Sequence, residues 1–476
     1  MSIANQKQEW ETDIQWLSLG SAINQFRRMM RHSAVSQPVQ PEDIRRELEC
    51  YDFRDPVSLG ELTNDVLRLL QTYSLHVTHP RYFGLFNPGV REAGIIAETL
   101  AAAFNPQLAV WSHNPIANEI EQHVLRQFAD LIGFPPHGIA ANFTTGGAEA
   151  NLSALIVALG HCFPAWSEDG LSVLRARPSI YLSADAHDSF LKAARACGLG
   201  TSAVRRLPTT SPAFSMDPTQ LDAMLDKDRN DGWSPFMIVG TAGTTSTGAV
   251  DPLPALASVA KKYGAWFHVD AAWGGAACMS PKLRGQIDGI GLADSVTWDA
   301  HKWLSVPFSA GMFFCKHPDA VRAAFSVQAS YMPAYASETI DPYSTTIQWG
   351  RRAIGLKVFM ALAELGVGGY CELIEHQAAM GEFLRRRLDE EGFEVVNATA
   401  LPVVCFTHPA IRQGKLRTTD ILQEIYSRGQ VWISDVTPSG GERVLRACIT
   451  HYETDEDDIE CLIKELNRSM KKAQDC

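Results

Sequence analysis

Apolar residues recur at helical spacing near the start of the chain and form unbroken runs farther along it. Asp43-Ile-Arg-Arg-Glu-Leu-Glu and Leu59-Gly-Glu-Leu-Thr-Asn-Asp-Val-Leu-Arg-Leu-Leu place theirs every three to four positions, the period of a helix with one buried face. Asp55-Pro56 and Ser58 supply turn and cap chemistry ahead of the second. Such a pair has little core of its own, so the region to about Val77 is expected to pack on something else, a partner subunit included. From about His79 to Phe314 the pattern changes. Ser179-Ile-Tyr-Leu-Ser, Phe236-Met-Ile-Val-Gly-Thr and Trp266-Phe-His-Val-Asp are continuous apolar runs that end in small or polar residues and alternate with helical stretches. Buried parallel strands with helices on both faces of their sheet are expected there. A long helix is expected over residues 353–365. It leads to Phe393-Glu-Val-Val, Val403-Val-Cys-Phe and Val444-Leu-Arg-Ala-Cys-Ile, interleaved with helices such as residues 420–427. The expected division is an N-terminal helical segment over 1–85, a large α/β domain over 86–355 and a small α+β domain over 356–476.

Composition narrows the function classes. The 476 residues are 46% hydrophobic and 20% charged, as in an ordinary globular protein, and the net charge is −12. That balance argues against nucleic acid or an anionic membrane as the main partner. It says little about a small substrate. The opening MSIANQKQEWETDIQW has no basic stretch followed by an apolar core, so no signal peptide is expected. No apolar run reaches the length that spans a bilayer. The ten cysteines are scattered and none forms CxxC or a Cys/His metal spacing, so neither a metal site nor a disulfide framework is signalled. A reducing cytoplasm is the simplest setting.

Four segments carry chemistry. In Thr144-Thr-Gly-Gly-Ala-Glu-Ala-Asn two glycines precede an alanine-rich helical stretch, and a helix N-terminus there offers free amides to a phosphate. Asp185-Ala-His-Asp places His187 just past a strand, where open α/β sheets hold ligands. In His268-Val-Asp-Ala-Ala-Trp-Gly-Gly, Asp270 ends an apolar strand; a buried carboxylate needs a cation, and a protonated pyridine nitrogen fits that need. Asp294-Ser-Val-Thr-Trp-Asp-Ala-His-Lys-Trp-Leu sets Lys302 among Trp298, Trp303 and Leu304, the apolar setting in which a lysine forms a Schiff base. Each segment alone has a plain structural reading. Together, in this order, they read as phosphate cup, ring stack, pyridine partner and Schiff-base lysine of pyridoxal phosphate (PLP).

These motifs resemble the PLP-dependent group II amino-acid decarboxylases, from about His79 to the C-terminus. The resemblance implies the aspartate-aminotransferase fold (type I), with a large, mainly parallel sheet domain and a small C-terminal α+β domain. It also implies a homodimer with active sites at the interface, and an N-terminal helical segment wrapped on the partner. By motif, Lys302 resembles the Schiff-base lysine, Asp270 the pyridine partner and His187 the ring-stacking histidine. Gly147 and Ala148 fall at the phosphate cup; many relatives have serine at Ala148, so a backbone amide would replace one phosphate bond. Asp299 falls where relatives often carry Asn, and a carboxylate there would repel a phosphate. Ala272 matches the small residue beneath the ring, Thr245 a threonine near the cofactor, and His301 the histidine beside the lysine. Tyr331 matches the tyrosine of the mobile catalytic loop that returns a proton to the α-carbon. Arg446 matches the arginine that binds the substrate carboxylate.

The substrate is left open. Trp111 and Phe86 suit an aromatic pocket, whereas Arg81 in His79-Pro-Arg resembles glutamate and cysteine-sulfinate decarboxylases. The weight lies slightly with an aromatic amino acid, giving amine and CO2. An aminotransferase, a decarboxylation-dependent aldehyde synthase and a non-catalytic scaffold are the alternatives, the last opposed by the joint presence of Lys302, Asp270 and His187.

Overall fold

The computed structural model describes residues 3–86, 88–135, 137–327 and 339–474, with side chains from Trp16 to Lys472. Three helices open the chain: α1 (Ile3–Met30), α2 (Pro41–Leu48) and α3 (Leu59–Tyr73). Proline at the first position starts α2, and the Ser58 hydroxyl caps α3 by accepting from the Glu61 amide. Neither α2 nor α3 buries a residue. Leu59, Leu62, Val66 and Leu70 stay exposed along one stripe of α3.

After α4 (Glu92–Phe104) and α5 (Pro115–Ile132) comes the large sheet: β1 (Ala140–Thr144), β2 (Arg177–Ser183), β3 (Val204–Leu207), β4 (Trp233–Thr241), β5 (Trp266–Asp270), β6 (Ser295–Asp299) and β7 (Gly311–Cys315). Its order is β1-β7-β6-β5-β4-β2-β3. Only β7 runs against its neighbours. β5, β6 and β7 are buried along their whole length, as strands covered on both faces are. α6 (Gly147–Cys162) leaves β1 and buries Ala150, Asn151, Ala154, Leu155 and Ala158.

The helix expected over 353–365 is the first part of α7 (Gly355–Glu390), which continues past a break at Gly366, whose φ is 69°. A second, antiparallel sheet follows, in the order β8 (Glu394–Val395), β9 (Val403–Thr407), β11 (Val444–Cys448), β10 (Ser434–Val436). It packs with α8 (Thr418–Arg428) and α9 (Glu456–Gln474). Strand alternation gives this sheet two faces. Val404, Phe406, Leu445 and Ala447 build the small lobe's own core, while Val403, Cys405, Val444 and Cys448 join the core of the large sheet.

Three histidines are buried without charge. Loss of water pulls the pKa of His79, His268 and His451 down to about 4, 4 and 3. The unfolded chain therefore takes up protons that the folded chain refuses between about pH 6.5 and 4. Stability from these groups is complete above about pH 6.5 and is lost as the pH falls through that window. Urea midpoints measured from about pH 7 down to about pH 4.5 are expected to drop, by on the order of 2 kcal/mol per histidine at the acid end. A flat profile would refute the neutral burial of these rings.

Candidate active site

The site forms where the parallel strands end. Register sets Thr241, Asp270 and Thr297 side by side on β4, β5 and β6, at the carboxyl edge where such sheets bind ligands. A small cavity opens there. Seven residues singled out in the sequence line it: Gly147, Ala148, His187, Thr245, Asp270, Ala272 and Lys302. Asn151, Thr241, Gly243 and Trp273 complete the wall. A larger, open groove lies between α1 and the turns around Gly89 and His451. It contains none of this chemistry.

Local structure explains each placement. The first amides of α6 have no acceptor within their helix, and Gly146 offers no side-chain cap. Gly147 leaves room for its neighbours: a Cβ there would stand 2.9 Å from Asp299 Oδ2 and 3.2 Å from the Ala272 Cβ, so the Asp299 carboxylate would have to shift. Gly243, at φ 98°, turns the chain against Trp273, whose ring a Cβ would meet at 2.9 Å. Asp270 is buried and both of its oxygens accept, Oδ1 from the Ala272 amide at 3.1 Å and Oδ2 from Asn151 Nδ2 at 2.8 Å. His187 lies at the exposed rim, and its Nδ1 accepts from the Ser189 amide at 3.2 Å, which leaves Nε2 to carry the proton.

Lys302 follows β6 in a tight turn, its amide donating to the Asp299 carbonyl at 3.3 Å. Trp298, Trp303 and Leu304 are buried as expected, with the Trp303 indole donating to Gln377. They turn into the core, however, and the amine's close partner is a carboxylate, Asp299 Oδ2, at 3.0 Å. Asp299 is buried and neither of its oxygens has an aligned hydrogen bond. His301 accepts from the Ala310 amide at its Nδ1 and faces Asp299 at 3.9 Å through Nε2. Burial lowers its pKa.

Two predicted substrate residues adjoin the cavity without lining it. Phe86 stacks on Trp273, ring centres 4.5 Å apart. Arg446 lies on the face of β11 that looks to the large sheet, opposite Cys405. Its guanidinium sits 5.4 Å from the Phe86 ring and donates to the carbonyls of Ser246 and Gly84. Its Nη2 is buried and unpartnered. Trp111 is not brought to the cavity; its indole donates to Glu119 at 2.9 Å. Tyr331 lies outside the described residues.

The residue set fits PLP: unpaired helix amides at one end, a buried carboxylate with both oxygens accepting at another, a lysine between them, and a histidine at the rim. The Asp299 carboxylate, beside Gly147 and paired with Lys302, is the feature that opposes a phosphate. Among the described residues, no group of three or more His, Cys, Asp or Glu side chains could hold a metal ion. None of their helices is long and apolar enough to cross a membrane.

Known proteins resemble this chain over most of its length. The pyridoxal-dependent decarboxylase conserved domain matches residues 41–408. Over 448 residues the chain is 29% identical to the acidic amino acid decarboxylase GADL1 of Bos taurus, covering 90% of this chain and 84% of that one. Over 436 residues it is 31% identical to tyrosine decarboxylase 2 of Arabidopsis thaliana, covering 89% and 79%. The crystal structure of mouse CSAD matches with a TM-score of 0.90 at 25% identity, over 96% of this chain and 98% of its own.

Proposed function

Since the chain belongs to the pyridoxal-dependent decarboxylase family and is a PLP-dependent carboxy-lyase acting on an amino acid, we propose that its substrate is an aromatic L-amino acid. The observation that carries this reading is the Phe86–Trp273 stack beside the cavity, with the unpartnered Arg446 Nη2 next to it. An acidic substrate needs a second cation. Arg81, the candidate in the sequence, is bound to the buried Asp458 at 2.9 Å.

Bound PLP supplies a ring that takes up the electron pair left when the bond to the carboxylate carbon breaks. The protein's residues do the rest. The Lys302 amine would hold the cofactor through its aldehyde carbon, amides at the start of α6 would receive its phosphate, Asp270 would be the anion beside its ring nitrogen that favours a proton there, and His187 would lie over the ring. Arg446 Nη2 would bind the substrate carboxylate, and Tyr331 or His301 would supply the proton that the α-carbon takes up.

The division at about residues 85 and 355 and a reducing cytoplasmic setting, suited to the unpaired cysteines among the described residues, belong to the same proposal. So does a homodimer. Its support is the exposed stripe of Leu59, Leu62, Val66 and Leu70 on α3, together with Ile96, Leu100 and Phe104 exposed on α4.

The test is a panel of L-amino acids given to the PLP-loaded protein, with CO2 and products followed by mass spectrometry. Amine and CO2 in equal amounts from tyrosine, tryptophan or a related substrate are expected. Turnover of glutamate or cysteine sulfinate alone would overturn the aromatic assignment, and aldehyde or keto acid in place of amine would overturn the reaction type.

A further inference from the structure

Behind Asp270 runs a chain of buried polar side chains that the decarboxylation steps above do not use. The Trp266 indole donates to Ser295 Oγ at 2.8 Å. Ser295 Oγ lies 2.8 Å from His268 Nδ1, and His268 Nε2 lies 3.1 Å from Asn151 Oδ1. The Thr297 hydroxyl donates to the same Oδ1 at 2.8 Å. Asn151 Nδ2 in turn donates to Asp270 Oδ2 at 2.8 Å and to Ser189 Oγ at 2.9 Å. All seven residues are buried.

The direction of this chain is fixed by chemistry. Asn151 Nδ2 donates to Asp270 Oδ2, so Asn151 Oδ1 is turned to His268 Nε2 and to the Thr297 hydroxyl as an acceptor. His268 is held neutral by burial, so its single proton sits on Nε2 and its Nδ1 accepts from the Ser295 hydroxyl, whose oxygen also accepts from the Trp266 indole. The Asp270 carboxylate meets donors only, from Asn151 and from the Ala272 amide. A protonated Asp270 would have to turn an O–H toward one of them, leaving a buried donor unpaired. The other titratable groups at the cavity are His187 and Lys302, with Asp299 paired to Lys302.

Resting on the proposed placement of the cofactor ring against Asp270, we propose that Asn151 is a positioning residue. Held by His268 and Thr297, it keeps Asp270 an oriented carboxylate and so keeps the ring nitrogen protonated. The chain acts only through Asp270 and touches neither substrate nor the scissile bond.

The test uses full-length protein loaded with PLP labelled with 15N at the ring nitrogen. The 15N shift is followed against pH, and the cofactor dissociation constant is measured by equilibrium dialysis. Asn151→Leu is expected to lower the pH at which the ring nitrogen loses its proton by about one unit and to weaken cofactor binding about tenfold. Thr297→Val removes one of the two donors that orient Asn151 at nearly constant shape. It is expected to shift the titration the same way by about half as much, and it carries the test if Asn151→Leu does not fold. Asp270→Asn is the control. Variants at 151 and 297 that titrate like the parent, with Asp270→Asn shifted, overturn the role of Asn151 and leave the cofactor placement standing. An unshifted Asp270→Asn overturns that placement, and the proposal with it.

Discussion

Lys302→Ala is expected to leave a folded protein that no longer decarboxylates. The amine is the only lysine nitrogen among the described residues lining the cavity, so nothing near it can take over its bond to the cofactor. A loss of at least about 10,000-fold in kcat is expected, roughly 5.5 kcal/mol of transition-state stabilisation. The cofactor should still enter, held by the α6 amides and Asp270, but it should exchange freely in dialysis and lose the visible band of the lysine-bound form. The variant also strips Asp299 of its partner at 3.0 Å, so a modest loss of stability is expected beside the chemical one. Product analysis and the absorption spectrum check both. Parental turnover by this variant would end the assignment of Lys302.

Asp270→Ala is the second large effect. Truncation removes the acceptor for Asn151 Nδ2 and for the Ala272 amide, two buried donors that cost about 1–3 kcal/mol each when unpaired. It also removes the anion facing the ring nitrogen. A fall in kcat of about 1,000-fold at saturating cofactor is expected, roughly 4 kcal/mol, with a KM changed far less because Asp270 does not contact the substrate. Steady-state kinetics separate the two. A rise in KM with kcat intact would place the residue against substrate instead.

Why so much of this was legible in the sequence is a matter of period and position. β5 is short, fully buried and ends in Asp270, so an apolar run with a terminal carboxylate marked that strand and its end. Lys302 was marked by its buried aromatic neighbours, though not by the carboxylate it meets, because the turn that folds it back on Asp299 has no periodic signal. Asn151 was passed over, although a polar residue on the α6 face shared by Ala150, Ala154, Leu155 and Ala158 was itself a hint. Its four partners come from β5, β6 and residue 189, and contacts that distant leave no mark on local spacing. Trp111 is placed away from this cavity for the opposite reason. Its motif match is local, but the indole's course is set by Glu119 on the adjoining helix.

The small lobe grips the turn at residues 243–250, which borders the cavity. Arg446 donates to the Ser246 carbonyl, Asn397 to the Thr247 carbonyl and Thr399 to the Gly248 carbonyl. Asp185, two residues before the rim histidine, accepts from the Ser439 amide. The turn that carries Thr245 is thus shaped by the C-terminal quarter of the chain. Cofactor capture in a nascent chain has to wait until β11 is synthesised and docked, and a truncation far from the lysine would be felt first as a holoenzyme that fails to mature.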